Sequence, residues 1–454
     1  MKKIILITLL MCFISTITAC GDENPKKENS KTTSETESVE DNTSEKETED
    51  MIDDKEKEKD TSNKKKEKEE LPQVLSLSQN YITRYEWMDD IWMLYSEGSN
   101  VTMWEGAKKY PEMDRTLSEL AGMQARTIED EADNILSFAQ EMFDVNSESF
   151  ETQVSTLDVQ VRRADSVVLS LLSDSYADYG FVEDFRGMWG SNYDVQTGKE
   201  LLLSDVILDM EPIPEIVVNE LNNHIWAGDF YSETVVEDYF KNTPEDGISW
   251  TLDYNGVTFY FGDGDLLEPG NGRQTATVSF AEYPELFVEK YTKVPEAYMV
   301  RLPLDSSYFT DLDEDGTLEE LNCSGFFNKT DRFYTQFGIY SDIEGSYQYE
   351  ELFAYDFQPY YVKTEDGNHY IYLFCEESEG GNRQIMLVVY NVNGGIVTRV
   401  GDMNIAPAYV ALDTFVLPLD PNNLLLDNYD SLAQDAEVYK VGKDGMPVKK
   451  ISTL

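Results

Sequence analysis

Asp311-Leu312-Asp313-Glu314-Asp315-Gly316-Thr317-Leu318-Glu319 sets an oxygen-bearing residue at every second position, with a glycine where a tight loop must turn. Ca2+ takes about six to eight hard oxygen ligands in a flexible shell, and this spacing can wrap Asp311, Asp313, Asp315, Thr317 and Glu319 around one point. The run is not a full EF-hand, because its position 12 is Asn322 where a bidentate glutamate belongs. An ion held there would be structural, tying one hairpin. The alternative is a merely acidic turn.

Little else in the chain offers reactive chemistry. Two histidines occur, His224 in a helical pattern and His369 in a strand pattern. A metal hydrolase needs several imidazoles or carboxylates converging on an ion with an open position for water. A Ser–His–Asp or Cys–His arrangement would have to use one of the same two histidines, and no Gly-x-Ser-x-Gly elbow frames a serine. Acids are too numerous for spacing to single out a glycosidase pair. No catalytic residue is predicted, and both histidines are expected to pack or to sit at the surface. The aromatic stretch from Phe337 to Tyr361 suits either sugar stacking or packing between sheets.

The start of the chain carries an address. Lys2 and Lys3 precede an apolar run, Ile4 to Ile17, and Ile17-Thr18-Ala19-Cys20 closes it in the manner of a bacterial lipobox. Residues 1–19 are therefore expected to be a signal peptide, cleaved before a lipidated Cys20. Two or three acyl chains, at about 0.8 kcal/mol per buried methylene, would anchor the chain to the outer face of a membrane. No later stretch approaches the roughly 18 unbroken apolar residues of a spanning helix.

Charge separates the rest into a tail and a body. The chain holds 88 acids and 36 bases. Residues 21–70 take 19 acids and 11 bases, and the leader two lysines, which leaves 69 acids and 23 bases on residues 71–454, a balance of −46. Residues 20–70 are almost free of large apolar side chains and are expected to form a disordered stalk. An acidic body repels nucleic acid and anionic lipid and favours cationic partners. Once Cys12 leaves with the leader and Cys20 takes the lipid, Cys323 and Cys375 remain, either as one disulfide or as two buried thiols.

Periodicity places the elements. Strand-like aromatic stretches surround Tyr81–Met93. Pro111, Met113, Leu117 and Leu120, then Ile128, Ala132, Ile135, Ala139 and Met142, follow helical spacing on either side of Gly122, as one broken helix or two successive ones. Strands are expected at 159–161, 166–171, 256–261 and 274–280, helices at 213–225 and 232–241, and a hairpin tip at 192–200 with Gly198 at positive φ. From 296 to 454 strands such as 369–374, 384–391 and 396–400 alternate with Asp/Gly turns, which suits a sandwich or a propeller-like meander.

Three runs resemble those of RsiV-like and PdaC-like extracytoplasmic proteins. They are Arg163-Ala164-Asp165-Ser166-Val167-Val168-Leu169-Ser170, then Asp194-Val195-Gln196-Thr197-Gly198-Lys199 with Leu203-Ser204-Asp205-Val206, and the strands from Gly256 to Phe261 and Gln274 to Val278. The resemblance covers about 70–292. It implies an α+β fold of two small domains, 71–165 (PdaC-like) and 166–292 (RsiV-like), here followed by a β-rich domain over 296–454. In RsiV-like proteins the corresponding region binds lysozyme; in PdaC-like proteins it precedes a peptidoglycan deacetylase domain. The combined expectation is a membrane-anchored lipoprotein that acts as a binding or sensing module at the cell envelope. Its partner would be lysozyme, another cationic protein or a cell-wall glycan. The alternative is a peptidoglycan-modifying enzyme or its accessory subunit.

Overall fold

The computed structural model describes residues 71–88, 90–179, 185–223, 232–267, 272–304, 306–328, 333–379, 382–411, 413–428 and 436–451. The leader, Cys20, the charged stretch through Glu70 and His224 lie outside the described residues.

The aromatic stretches at the start of the body form one long antiparallel hairpin, β1 (Ser76–Met88) and β2 (Ile91–Glu105). Asp90 turns it at φ 65°, a conformation that a short polar side chain tolerates. β3 (Gln153–Ala164) lies parallel to β2, and parallel neighbours need a long crossover. The helix Pro111–Val145 supplies it. Its buried residues Met113, Leu117, Ala121, Ile128, Ala132, Ile135 and Ala139 stay in one helical phase. This is a single helix of 35 residues where the sequence allowed a break. A mid-helix glycine costs only about 1 kcal/mol, less than the in-phase apolar stripe on either side of Gly122 recovers by packing.

β4 (Val168–Asp178) returns antiparallel to β3, followed by β5 (Phe185–Asp194) and the short β6 (Lys199–Glu200). Far along the chain, Tyr409–Ala411 and Thr414–Val416 add to the outer edge of β1. The resulting eight-stranded sheet draws on all three stretches of sequence.

β7 (Ser249–Leu252), β8 (Gly256–Phe261) and β9 (Gln274–Ser279) make a small antiparallel sheet. The helices Ile213–Asn223 and Glu233–Asn242 share its core, through Ile213, Val217, Leu221 and Val236 with Trp250, Phe259 and Val278. Ser232 caps the second helix by accepting the Val235 N–H. β5 crosses β7 so closely that a Cβ on Gly190 would lie 1.7 Å from the Trp250 carbonyl oxygen, and Asn192 bonds both to that oxygen and to the Leu252 N–H.

The last stretch is layered. β10 (Tyr298–Arg301) leads into the four-stranded sheet of β11 (Ser307–Thr310), β12 (Glu319–Asn328), β13 (Phe333–Ser341) and β14 (Tyr347–Ala354). β15 (Asp356–Lys363), β16 (His369–Glu379), β17 (Asn382–Asn391) and β18 (Thr398–Met403) join β10 in a five-stranded sheet. β19 (Ile405–Pro407), β22 (Leu424–Asn428), β23 (Ala436–Val441) and β24 (Pro447–Lys449) form, in that order, a four-stranded sheet; the edge strands 409–411 and 414–416 are β20 and β21. The five-stranded sheet is covered on both faces. Ile371, Leu373 and Cys375 pack with Leu321, Cys323 and Phe337, while Tyr372 and Phe374 pack with Leu424, Leu426 and Tyr439. Double coverage is why Tyr370–Cys375 reads as an unbroken apolar run instead of alternating. The chain is thus mixed α+β and mostly strand, and among the described residues no sheet closes on itself.

The Arg163-Ala164-Asp165 run stands at the β3–β4 turn, and its two charges are fully buried. Arg163 Nε donates to Asp165 Oδ2 at 2.7 Å, and its other nitrogens donate to the carbonyls of Tyr291 (2.7 Å) and Lys293 (2.8 Å). Asp165 Oδ1 accepts the N–H groups of Val167 and Val168. Gly198, at φ 64°, takes the positive-φ position expected of it. Its N–H donates to the Asp194 carbonyl, and Asp194 Oδ1 accepts both the N–H and the hydroxyl of Thr197. A Cβ on Gly198 would meet the Glu112 carbonyl oxygen at 2.6 Å. Both runs therefore hold the frame together.

Candidate functional site

The Asp-rich run joins β11 to β12. Thr310 and Glu319 face each other across the ladder, so residues 311–318 must reverse the chain between fixed ends. Glu314 (φ 63°) and Gly316 (φ 96°) make the reversal, and the aspartates fold inward onto their own backbone. Asp311 accepts the N–H groups of Asp315 and Gly316, both at 3.1 Å, and Asp313 Oδ1 accepts the same Asp315 N–H at 3.1 Å. Thr317, at position 7, donates its N–H to Asp315 Oδ1 at 2.8 Å. Glu319 Oε2 accepts the Leu312 N–H at 2.6 Å. One oxygen each from Asp311, Asp313, Asp315 and Glu319 lies within 4.8 Å of the others.

Burial pushes the Glu319 carboxyl up to about 7; the Leu312 N–H eases this, and the charges of Asp313, Asp311 and Asp342 add to it. Each carboxylate has lone pairs beyond those given to backbone N–H groups. Converging oxygens of this kind are the donor set that a hard divalent cation takes. The Gly394 N–H donates to the Leu312 carbonyl at 2.9 Å, so the loop is held to the turn after β17 as well as to its own hairpin.

His369 lies close by but does not join the carboxylates. It is buried at the start of β16, with Nδ1 2.6 Å from the Tyr361 hydroxyl, which accepts from Thr310 Oγ1 at 3.0 Å. Burial, helped by the charge of Lys363, pulls its imidazole down to about 4. His369 is a neutral packing residue in a Thr–Tyr–His hydrogen-bonded chain, as its strand pattern suggested. Cys323 and Cys375 are free thiols buried in the core between two sheets, which settles their two readings in favour of packing.

One surface escaped the sequence reading. At the tip of the β1–β2 hairpin Tyr85, Trp87, Trp92 and Tyr95 gather on one face, with Trp87 56% and Tyr85 46% exposed. The spacing of Tyr81, Tyr85 and Trp87 was a signal for it, since residues two apart share a strand face.

About half of the chain is similar to solved structures of the DUF3298 family. One, from Bacteroides fragilis, is 11% identical, with 48% of this chain and 96% of that one covered at a TM-score of 0.35. Another, from Pseudomonas aeruginosa, is 13% identical, with 49% and 99% covered at a TM-score of 0.33. No family model matches the chain, and no curated protein matches it.

Proposed function

We propose that the chain is a lipoprotein tethered through Cys20 to the outer face of a membrane, where its acidic body captures a basic protein of the cell envelope. The observation that carries this reading is the balance of −46 on residues 71–454. A field of that sign steers cationic proteins to the surface and raises association rates by roughly 10- to 1,000-fold. Lysozyme is the candidate ligand that the RsiV-like resemblance suggests. In this reading 71–165 and 166–292 are the PdaC-like and RsiV-like portions. The β-rich portion, 296–454, carries a structural Ca2+ on Asp311, Asp313, Asp315, Thr317 and Glu319.

The test is binding of the full chain to lysozyme across a salt series, beside an unrelated protein of equal basic charge. At ~0.5 M salt the Debye length falls to about 4–5 Å, which removes steering but not contact. Lysozyme is expected to lose association rate while keeping its dissociation rate. If both proteins bind alike and both are lost with salt, recognition is refuted and only a charged surface remains.

A further inference from the structure

The β1–β2 hairpin has two unlike faces. Leu94 and Gly98 turn toward the long helix: Leu94 packs with Ala132 and Ile135, and a Cβ on Gly98 would strike the Ile128 side chain at 2.1 Å. Arg84 reaches Asp133 on the same helix at 2.5 Å. Strand alternation therefore sends Tyr81, Tyr85, Tyr95 and Glu97 to the opposite face. Cross-strand pairing sets Tyr85 against Tyr95, with ring centroids 5.3 Å apart, and Trp87 against Trp92 at 4.5 Å and 75°. Folding leaves more than half of the Trp87 surface and nearly half of that of Tyr85 in water. A ring of that size in water is a standing cost that a partner can remove.

Carboxylates crowd the inner end of this aromatic ladder. The Tyr95 hydroxyl donates to Glu97 at 2.5 Å. Glu97 in turn feels the charges of Asp356, Asp158 and Arg301, and Arg301 is bonded to Asp158 at 2.9 Å. Arg301 is thus paired with Asp158 and lies within the field of Glu97 and Asp356, and Glu376 stands across the ladder from Asp356 as a fourth acid. Gln358 donates to Asp356 at 2.8 Å and to the Tyr81 hydroxyl at 3.4 Å, and Tyr81 stacks on Phe415 at 5.7 Å. Beyond them opens a small cleft with Asp356, Gln358 and Glu376 at one side and apolar walls that include Ile385, Pro407 and Phe415. The surface therefore runs from exposed rings on the hairpin's outer side to carboxylates at the mouth of a small cleft built by the last stretch of sequence.

We infer that this face, from Trp87 to the cleft beside Asp356, is where the basic partner docks, its Arg and Lys side chains entering between the rings and the carboxylates. The inference rests on the capture of a basic protein proposed above and gives it a place. Charge complementarity selects the occupant. A guanidinium lies flat on an indole or phenol ring and is attracted by its quadrupole, and adjacent carboxylates pair with the same cation. Because Asp356 and Glu376 come from the last stretch of sequence and the rings from the first, the surface exists only where the two meet.

The test uses the full chain, immobilised lysozyme and a tryptophan-free arginine oligomer as probes. Tyr85→Ala with Trp87→Ala removes exposed rings, so the melting temperature should hold while the Kd for lysozyme rises about thirtyfold, as for a hot-spot aromatic. Glu97→Gln with Asp356→Asn should raise it about tenfold. Glu237→Gln with Asp238→Asn, which removes the same charge from the exposed side of the helix Glu233–Asn242 on a separate core, should leave it within about twofold. The arginine oligomer should shift the tryptophan fluorescence of the wild type, and the shift should vanish in Trp87→Phe with Trp92→Phe. If lysozyme binds the wild type and the hairpin variants equally, the docking face is wrong while capture stands. If the wild type binds neither probe, capture fails and the docking face falls with it.

Discussion

Asp165→Asn should cost about 3–5 kcal/mol of folding stability, because it strands a guanidinium that the fold buries completely. The asparagine is nearly isosteric, and its carbonyl oxygen can still accept the Val167 and Val168 N–H groups that Asp165 Oδ1 now takes at 2.8 and 3.0 Å. Its amide, however, would present a donor to Arg163 Nε, which now donates to a carboxylate at 2.7 Å. Arg163 cannot turn outward, because its other nitrogens hold the carbonyls of Tyr291 and Lys293, and its guanidinium lies 5.9 Å from the centre of the Tyr254 ring. The loss is a large share of the ~5–15 kcal/mol that a folded domain has in hand. Arg163→Met leaves the converse, a buried carboxylate without its cation, and should cost a similar amount. The double variant Arg163→Met with Asp165→Asn should recover only part of it, since the Tyr291 and Lys293 carbonyls then lack donors at about 1–3 kcal/mol each. Equilibrium guanidinium unfolding, followed by tryptophan fluorescence, reads all three differences. A loss below about 1 kcal/mol for Asp165→Asn would refute the view that this pair clamps β3 to the 291–293 segment.

The calcium loop predicts that a chelator lowers the melting temperature, since an ion present at ~100 times its Kd stabilises the fold by about 2.7 kcal/mol. Asp313→Ala should melt identically with and without chelator, and an equal chelator response in both proteins would leave the loop a simple turn. Burial, with Glu282 nearby, pushes Glu220 up to about 7. Its folded pKa is thus above the unfolded one, so its contribution is intact below about pH 4.5 and is lost as pH rises through about 7. Glu220→Gln should match wild type at pH 4 and exceed it at pH 8 by no more than about 3 kcal/mol; parallel pH profiles would contradict this. Cys20→Ser should move the protein from the membrane fraction to the medium or leave it unprocessed, and membrane retention of a correctly cleaved variant would remove the lipid anchor.

What the sequence determined by itself is local. Gly198 announced a positive-φ turn because few other residues accept one, and the spacing of Asp311, Asp313 and Asp315 announced inward-facing carboxylates because a short loop between paired strands leaves them no other direction. The helical phase of Met113 to Ala139 and the unbroken apolar run from Tyr370 to Cys375 were equally legible, since periodicity records which faces are buried. Periodicity does not record what covers them. Only the tertiary structure brought residues 414–416 beside β1, covered both faces of the five-stranded sheet, and kept the long helix whole past Gly122. It also decided that His369 is sealed beside Tyr361, and that Tyr85 and Trp87 stay in water at the tip of a hairpin whose Tyr81 is bonded through Gln358 to Asp356, more than 250 positions away. A strand pattern gives each side chain a face. Whether that face meets a core, a helix or solvent depends on which distant strand completes the sheet, and that is settled by packing among segments whose patterns are alike.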